Sequence, residues 1–127
     1  MKTAQKIIEI ESLCENISKK NTEGGLLRFK VLYFVSQYEN LSVSMIIEKL
    51  GIKKSNFALL TAQLEKEGSI VIHQAEIDKR CRTLSLTEKG KEELDGYLND
   101  LNDRLGATDT NVDEALDIIL KYLNKIV

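Results

Sequence analysis

The residues of this sequence most able to do chemistry are two short clusters of basic and amide side chains. The first cluster begins Lys53-Lys54-Ser55-Asn56 and has Gln63 two turns further along. Lysines pair with phosphate oxygens, whereas an asparagine or glutamine amide can pair with N6 and N7 of adenine. The second cluster has three cations within four positions: Lys79, Arg80 and Arg82. Together the clusters predict contacts with a nucleic acid.

Charge is unevenly distributed along the chain, although the formal net charge is only −2. Residues 53–91 contain eight basic and five acidic residues, a net charge of +3, so the remainder carries −5. A basic centre can meet a polyanion that the acidic remainder would repel. The alternative is that this excess is ordinary scatter on a solvated surface.

Two cysteines and a single histidine are the other reactive side chains. Cys14 is interpreted either as a small buried hydrophobe or as a redox-sensitive thiol. Cys81 lies between two arginines, a setting that favours oxidation, but it can equally be an incidental hairpin residue. His73 is either a pH-sensitive phosphate contact or a partly exposed strand residue. The chain has no CxxC pair, which suits a reducing cytoplasm.

The sequence contains no motif or residue cluster typical of an enzyme active site. There is neither a GxSxG nor a Walker pattern, and the histidine and cysteines do not cluster as metal ligands do. Acids near the C-terminus repeat along a helix as a solvated face does: Glu92, Glu93, Asp95, Asp100 and Asp103. We therefore expect no catalytic residue, no metal and no cofactor.

The composition indicates one folded domain. The 127 residues are 43% hydrophobic and 30% charged, which suffices for a core and is unlike a disordered chain. No apolar run approaches the ~18 residues of a membrane span, and the N-terminus lacks a signal peptide's apolar stretch. The absence of proline permits long helices.

Apolar residues at helical spacing predict four helices in the first half of the chain. The first is amphipathic and ends near Asn21, and its apolar face includes Ile7, Ile10 and Cys14. The second covers 26–38 and is apolar on most sides, as expected of a buried central helix.

The third and fourth helices form a helix-turn-helix pattern. Ser42 is the expected N-cap of a helix over 43–50, and Gly51 stands where a C-terminal cap belongs. A longer helix to about Glu67 follows, held on the core by Leu50, Phe57, Leu60 and Leu64.

After Gly68 the sequence changes from a helical to a strand pattern. Residues 70–72 and 83–86 are β-branched or alternating runs of strand length. They flank a mostly polar and charged segment, 74–82, which predicts a hairpin with a protruding tip.

Two helices complete the chain. Thr87 is the expected N-cap of the fifth helix, which ends at Gly106. The sixth begins near Thr110, where Thr110 and Asp113 resemble a capping box. Its apolar residues recur at spacings of four and three, as in a helix-packing seam: Val112, Leu116, Ile119, Leu123 and Ile126.

A helix-turn-helix followed by a charged hairpin is a winged helix, a mainly α fold with a small β-hairpin wing. The second helix can lie in the major groove of DNA while the hairpin reaches the backbone or the minor groove. In this arrangement both basic clusters face the DNA.

Four motifs resemble the MarR family of bacterial transcription regulators, and the short chain is also similar to the SarA-type branch of that family. The motifs are Leu41-Ser42 through Leu50-Gly51-Ile52, Leu64-Glu65-Lys66-Glu67-Gly68, Asp78-Lys79-Arg80 and Leu86-Thr87-Glu88-Lys89-Gly90. The most specific feature is a DxR wing followed six residues later by LTEKG. The motifs cover about residues 41–90, and the helix order covers the whole chain.

The resemblance implies a homodimeric DNA-binding regulator, usually a repressor, of a palindromic operator. Residues 1–25 and 91–127 would be dimerisation helices around a DNA-binding core at 26–90, and Asp78 would orient Arg80 towards DNA. Family members release DNA when a small phenolic or anionic ligand, or an oxidant, acts on them, and a ligand pocket is expected between the dimerisation helices and the winged core. Interface candidates are Ile7, Ile10, Leu116, Ile119, Leu123 and Ile126.

The sequence departs from the family at positions that read DNA. In the middle of the fourth helix, Ala58 and Leu59 stand where many members have Thr-Arg. Ile72 and His73 stand where an arginine often ends the first wing strand. Lys53 stands where Ser or Thr usually begins the fourth helix. Leu59 is left with two interpretations, contact with a thymine methyl or with a partner protein. The alternative function is therefore a winged-helix dimer that binds proteins and has only weak, non-specific affinity for DNA.

Overall fold

The computed structural model describes residues 2–20, 26–38, 42–75, 77, 81–106 and 109–127. The mainly α fold with one antiparallel hairpin is the winged helix that the sequence predicts. It divides into two compact units, Met1–Tyr97 and Leu98–Val127. The elements are α1 (Thr3–Lys20), α2 (Leu26–Gln37), α3 (Val43–Leu50), α4 (Lys54–Lys66), β1 (Ile70–Gln74), β2 (Arg82–Leu86), α5 (Glu88–Leu105) and α6 (Thr110–Ile126).

The helix-turn-helix consists of α3, a tight turn and α4, and α3 is capped as predicted. The Ser42 hydroxyl accepts a hydrogen bond from the backbone N–H of Met45 at 3.4 Å. Gly51 has φ 67° and ψ 31°, a left-handed conformation that glycine adopts without steric cost. Its N–H donates to the carbonyl oxygens of Ile47 and Glu48, which satisfies the end of the helix.

The hairpin runs further than its predicted strands. β1 and β2 pair antiparallel from Ile70 opposite Leu86 to Gln74 opposite Arg82. An isolated bridge between Thr83 and the N-cap residue of α3 attaches the hairpin to the helix-turn-helix. Arg82 therefore belongs to strand β2, whereas the sequence pattern predicted it in the hairpin tip.

The core of the first unit forms where α2, α3, α4 and the hairpin supply apolar side chains. Of the residues predicted to hold α4 on the core, Phe57 and Leu64 are almost completely buried, whereas Leu60 and the α3 residue Leu50 are half-buried. The inner face of α4 is thus anchored and its outer face is left to solvent. Other fully buried side chains are Val31, Leu32, Val35, Ile46, Ile70 and Leu84.

α5 begins with close packing against the start of the hairpin. Thr87 is the N-cap, as predicted, and its hydroxyl accepts a hydrogen bond from Gly90 N–H at 3.1 Å. A Cβ on Gly90 would overlap the carbonyl oxygen of Ser69 and lie 3.1 Å from its carbonyl carbon. Only glycine allows this approach of the helix to the backbone.

The predicted N-cap of α6 is wrong by one residue. Asp109 has extended dihedral angles (φ −64°, ψ 139°), and its carboxylate accepts a hydrogen bond from Asn111 N–H at 2.9 Å. Thr110 is already helical, so it cannot be the N-cap and cannot form a capping box with Asp113. Across the described ranges, no helix combines the length and apolar character that a membrane crossing needs.

Candidate nucleic-acid interface

The N-terminal end of α4 presents the first basic cluster to solvent. Lys53, Lys54, Ser55 and Asn56 are all exposed. Lys53 is the N-cap residue, has an extended backbone and makes no side-chain hydrogen bond to the first turn, which contains no acid. The positive end of the helix dipole and two lysines are thus available together to an anion such as a DNA phosphate.

Gln63 is exposed on α4, but its amide has a partner within the chain. Its Nε2 donates a hydrogen bond to Oε1 of Glu67 at 3.1 Å, one turn along. Asn56 is exposed at the other end of the helix. Base recognition by Gln63 would require this intramolecular bond to be exchanged, so Asn56 is the better placed of the two amides.

A cavity of about 370 Å³ lies between α3, α4 and the hairpin. Its lining brings together Lys54 from α4 and Arg82 from β2, one cation from each basic cluster. Phe57, Ile72 and Leu84 supply apolar lining. The cavity therefore has the composition of a site for a small anion with an apolar body, at the junction of the helix and the wing.

Part of the predicted wing falls outside what the structure describes. Asp78, Lys79 and Arg80 are not among the described residues, so their roles stay predictions. Cys81 is exposed and lines the same cavity as Arg82. The predicted concentration of cations at the hairpin is therefore seen only in part, at Arg82, which begins β2 next to the hairpin tip.

The remaining reactive residues lie at the surface. Cys14 is exposed on α1 of the single chain, and both interpretations of this residue stay predictions. His73 is an exposed strand residue whose Nε2 lies 2.9 Å from Oγ of Ser85 on the neighbouring strand. Within the described part of the chain, His, Cys, Asp and Glu side chains form no group that could hold a metal ion.

An ion-pair network that the sequence analysis did not identify fixes the far end of α4. Arg28 on α2 contacts Glu67 (Nη1 to Oε2, 2.7 Å) and Glu93 on α5 (Nη2 to Oε2, 2.9 Å). Ser69, itself fully buried, donates a hydrogen bond to Oε1 of Glu93 at 2.7 Å. Lys89 donates to the backbone carbonyl oxygen of Glu67 at 2.6 Å. Two helices and the start of the hairpin are thus tied to the end of α4.

The network also affects the titration of its exposed carboxylate. The hydrogen bond from Arg28, supported by one from Gln63, holds the pKa of Glu67 below its ordinary value of 4.5. The sequence signal for this network was the charge of Arg28 in the first turn of a predominantly apolar helix. A cation there requires a carboxylate partner, but the sequence does not say which carboxylate.

Comparison with known proteins finds close agreement in the winged-helix region. Residues 27–105 match the family described as a winged helix DNA-binding domain. The chain is 32% identical over 119 residues to the transcriptional repressor MprA of Escherichia coli (strain K12), covering 87% of this chain and 68% of that protein. It is 37% identical over 65 residues to YfiV of Bacillus subtilis (strain 168), an uncharacterized HTH-type transcriptional regulator, covering 51% of this chain and only 41% of that protein.

Solved structures share the fold across almost the whole chain. Wild-type MarR of E. coli in its apo form superposes with a TM-score of 0.77 at 15% identity, covering 97% of this chain and 96% of that one. FabT of Streptococcus pneumoniae, solved in complex with DNA, superposes with a TM-score of 0.69 at 17% identity, covering 98% and 99%.

Proposed function

Since the chain belongs to the winged helix DNA-binding domain family and is a transcription regulator of the MarR type, we propose that it is a homodimeric, cytoplasmic repressor of a palindromic operator. A member of this family is a DNA-binding regulator and not an enzyme. The observation that carries the proposal is that two cations from different elements, Lys54 and Arg82, line the same cavity beside the exposed face of α4.

The proposed DNA contacts follow from the position of these two cations on one side of the molecule. With α4 in the major groove, Lys53, Lys54 and the first turn of the helix meet phosphates, and Asn56 meets base edges. Arg82, at the start of β2 next to the wing tip, contacts the phosphates next to those bound by Lys54. In this proposal Lys79 and Arg80 at the wing tip extend the contacts into the backbone or minor groove.

Dimerisation explains an apolar helix face that the single chain leaves uncovered. On α6, Leu116 is 48% and Ile126 is 61% exposed, while Ile119 and Leu123 are half-buried. On α1, Ile10 is 41% exposed and Ile7 is half-buried. Exposed apolar rows at helical spacing are typical of interfaces between subunits. The division into a DNA-binding core at 26–90 and dimerisation helices at 1–25 and 91–127 is part of this proposal.

An effector fits the same proposal through the cavity between α3, α4 and the hairpin. A small phenolic or otherwise anionic molecule bound beside Lys54 and Arg82 would compete with phosphate for both cations. Oxidation of Cys81, in the same lining, would add negative charge there and weaken DNA binding in the same direction. The pocket expected between the dimerisation helices and the winged core stays a prediction.

The test begins with selection of bound fragments from genomic DNA, followed by affinity measurements on the selected operator at several salt concentrations. We expect a palindrome with half-sites about 34 Å apart, one helical turn of DNA. In a homodimer each substitution removes two phosphate contacts, so Lys54→Ala and Arg82→Ala should each weaken binding about tenfold and lower the slope of log K against log salt by about two. Lys121→Ala, which removes an exposed cation from α6, is the matched control and should change neither. Unchanged affinity in both test variants would refute the proposed DNA face.

Dimerisation is tested separately by sedimentation. Leu116→Glu places a charge in the apolar row of α6 and should convert the dimer to a monomer, because a charge buried at an interface is not solvated. Asn124→Glu places the same charge on an exposed polar position of α6 and should leave the dimer intact. A dimeric Leu116→Glu protein would contradict the assigned interface.

The second candidate function is a winged-helix dimer that binds a partner protein. It is favoured by one observation, the 74% exposure of Leu59 on the outer face of α4. This function predicts weak, salt-sensitive binding without sequence preference. Enrichment of a palindrome in the fragment selection would exclude it.

A further inference from the structure

The outward face of α4 is apolar at its centre. Phe57, Thr61 and Leu64 are buried and mark the inner face of the helix. The positions opposite them at helical spacing are all exposed, and the side chain at the middle of this row is 74% exposed. The row, called here the outer row, consists of Ser55, Leu59, Ala62 and Lys66.

The side chains around the centre of the outer row limit what this helix can recognise. Gln63 is engaged by Glu67, and Asn56, one turn before Leu59, is exposed. All of α4 is described, and its only cations are Lys54 and Lys66 at its two ends. A bidentate cation is the commonest reader of guanine, and none stands in the middle of this helix.

Leucine and asparagine both have partners on an A·T base pair. Leu59 cannot donate or accept a hydrogen bond, and the one apolar group on a base edge in the major groove is the C5-methyl of thymine. Asn56 matches the N6 and N7 atoms of adenine. The lysines at the two ends of the helix match the phosphate strands that border the groove, and Lys66 does so beside one exposed acid, Glu65.

We propose that the centre of α4 reads A·T pairs in each half-site, with Leu59 packed against a thymine methyl and Asn56 on an adenine edge. This inference rests on the proposed function, because it requires α4 to lie in the major groove. It assigns base specificity to an exposed leucine, with the lysines at either end of the helix supplying affinity.

The test removes only the methyl group. The operator is first selected from random-sequence DNA, and each thymine of the half-site is then replaced in turn by deoxyuridine, which pairs identically but lacks the methyl. One position should lower the affinity of the wild-type protein about fourfold per half-site, the effect of burying one methyl group, and about fifteenfold when both half-sites are changed.

Variants assign the effect to its residue. Leu59→Ala should bind the thymine operator about as weakly as the wild type binds the deoxyuridine operator, and should no longer distinguish the two. Because Leu59 is exposed, its unfolding midpoint should match that of the wild type. Ala62→Ser, on the same row, is the matched control and should keep the full difference between the two operators.

The outcomes separate this inference from the proposed function. If a palindrome is selected but no deoxyuridine position lowers affinity, methyl reading is wrong and the regulator function stands. A Leu59→Ala protein that still distinguishes the two operators also overturns the inference. If no sequence is enriched at all, the proposed function fails and the inference fails with it.

Discussion

Replacing Gly90 by alanine tests whether the contact between α5 and the hairpin holds the winged core together. The added Cβ would overlap the Ser69 carbonyl oxygen, lie 3.1 Å from the carbonyl carbon and lie 3.5 Å from Cβ of Leu86. The overlapped atom is backbone, and it accepts a hydrogen bond from Thr87 N–H at 3.1 Å, so it cannot turn away as a side chain would. The helix must therefore shift from the hairpin or the hairpin from the helix.

The size of the effect follows from two opposing contributions. Overpacking costs about 1–3 kcal/mol, and overlap with fixed backbone belongs at the upper end of that range. Alanine in place of a helical glycine returns about 0.5–1 kcal/mol. The net loss for Gly90→Ala should be about 2 kcal/mol, a fall in melting temperature of about 6–8 °C for a chain of this length.

Urea unfolding at a fixed protein concentration measures this loss, since the stability of an oligomer depends on concentration. Gly96→Ala is the matched control on the same helix, because nothing among the described residues lies within 4 Å of its added Cβ. It should gain about 0.5–1 kcal/mol. A Gly90→Ala protein as stable as the wild type, or an equal loss in Gly96→Ala, would refute the argument from close packing.

Two further predictions concern the cap of α6 and the ion-pair network. Asp109→Ala removes the hydrogen bond to Asn111 N–H and should cost about 1 kcal/mol in urea unfolding, whereas Asp117→Ala, in the middle of α6, should cost less than half of that. Because the pKa of Glu67 is lowered in the folded chain, its contribution is present above about pH 4.5 and is lost as the pH falls through the folded value below 4.5. Arg28→Met should therefore show a smaller drop in urea midpoint between pH 5 and pH 3 than the wild type, and an unchanged drop would contradict the assignment.

Local features of the fold were predictable because their causes are local. Ser42 caps the start of α3 and Gly51 caps its end, each through contacts with residues three or four positions away. Such contacts are visible in a sequence. Thr87 caps α5 in the same way. The cap of α6 was predicted wrongly because Asp109 and Thr110 are both good N-cap residues, and only the backbone conformation distinguishes them.

The sequence predicted the residue types of the candidate site but not which of its side chains lie together or bond to one another. Lys54 was identified as a cation at a helix start, and Arg82 as a cation of the hairpin, but their shared cavity depends on how the hairpin packs. Gln63 was proposed as a base reader on its chemistry alone, and the structure shows its amide bonded to Glu67. Glu67 stands four positions after Gln63, a spacing at which side chains on a helix meet, so this bond was visible in the sequence and was overlooked.

The sequence by itself determined the helix-turn-helix, the hairpin and the basic character of both, because capping, periodicity and charge are properties of neighbouring residues. Only the tertiary structure decided that Arg28 ties α4 to α5 and that Leu59 stands at the centre of the solvent-facing row. Both results depend on which face of α4 the core covers. That choice is made by the burial of Phe57 and Leu64 against residues far away in the chain, and contacts between distant residues exist only once the chain has folded.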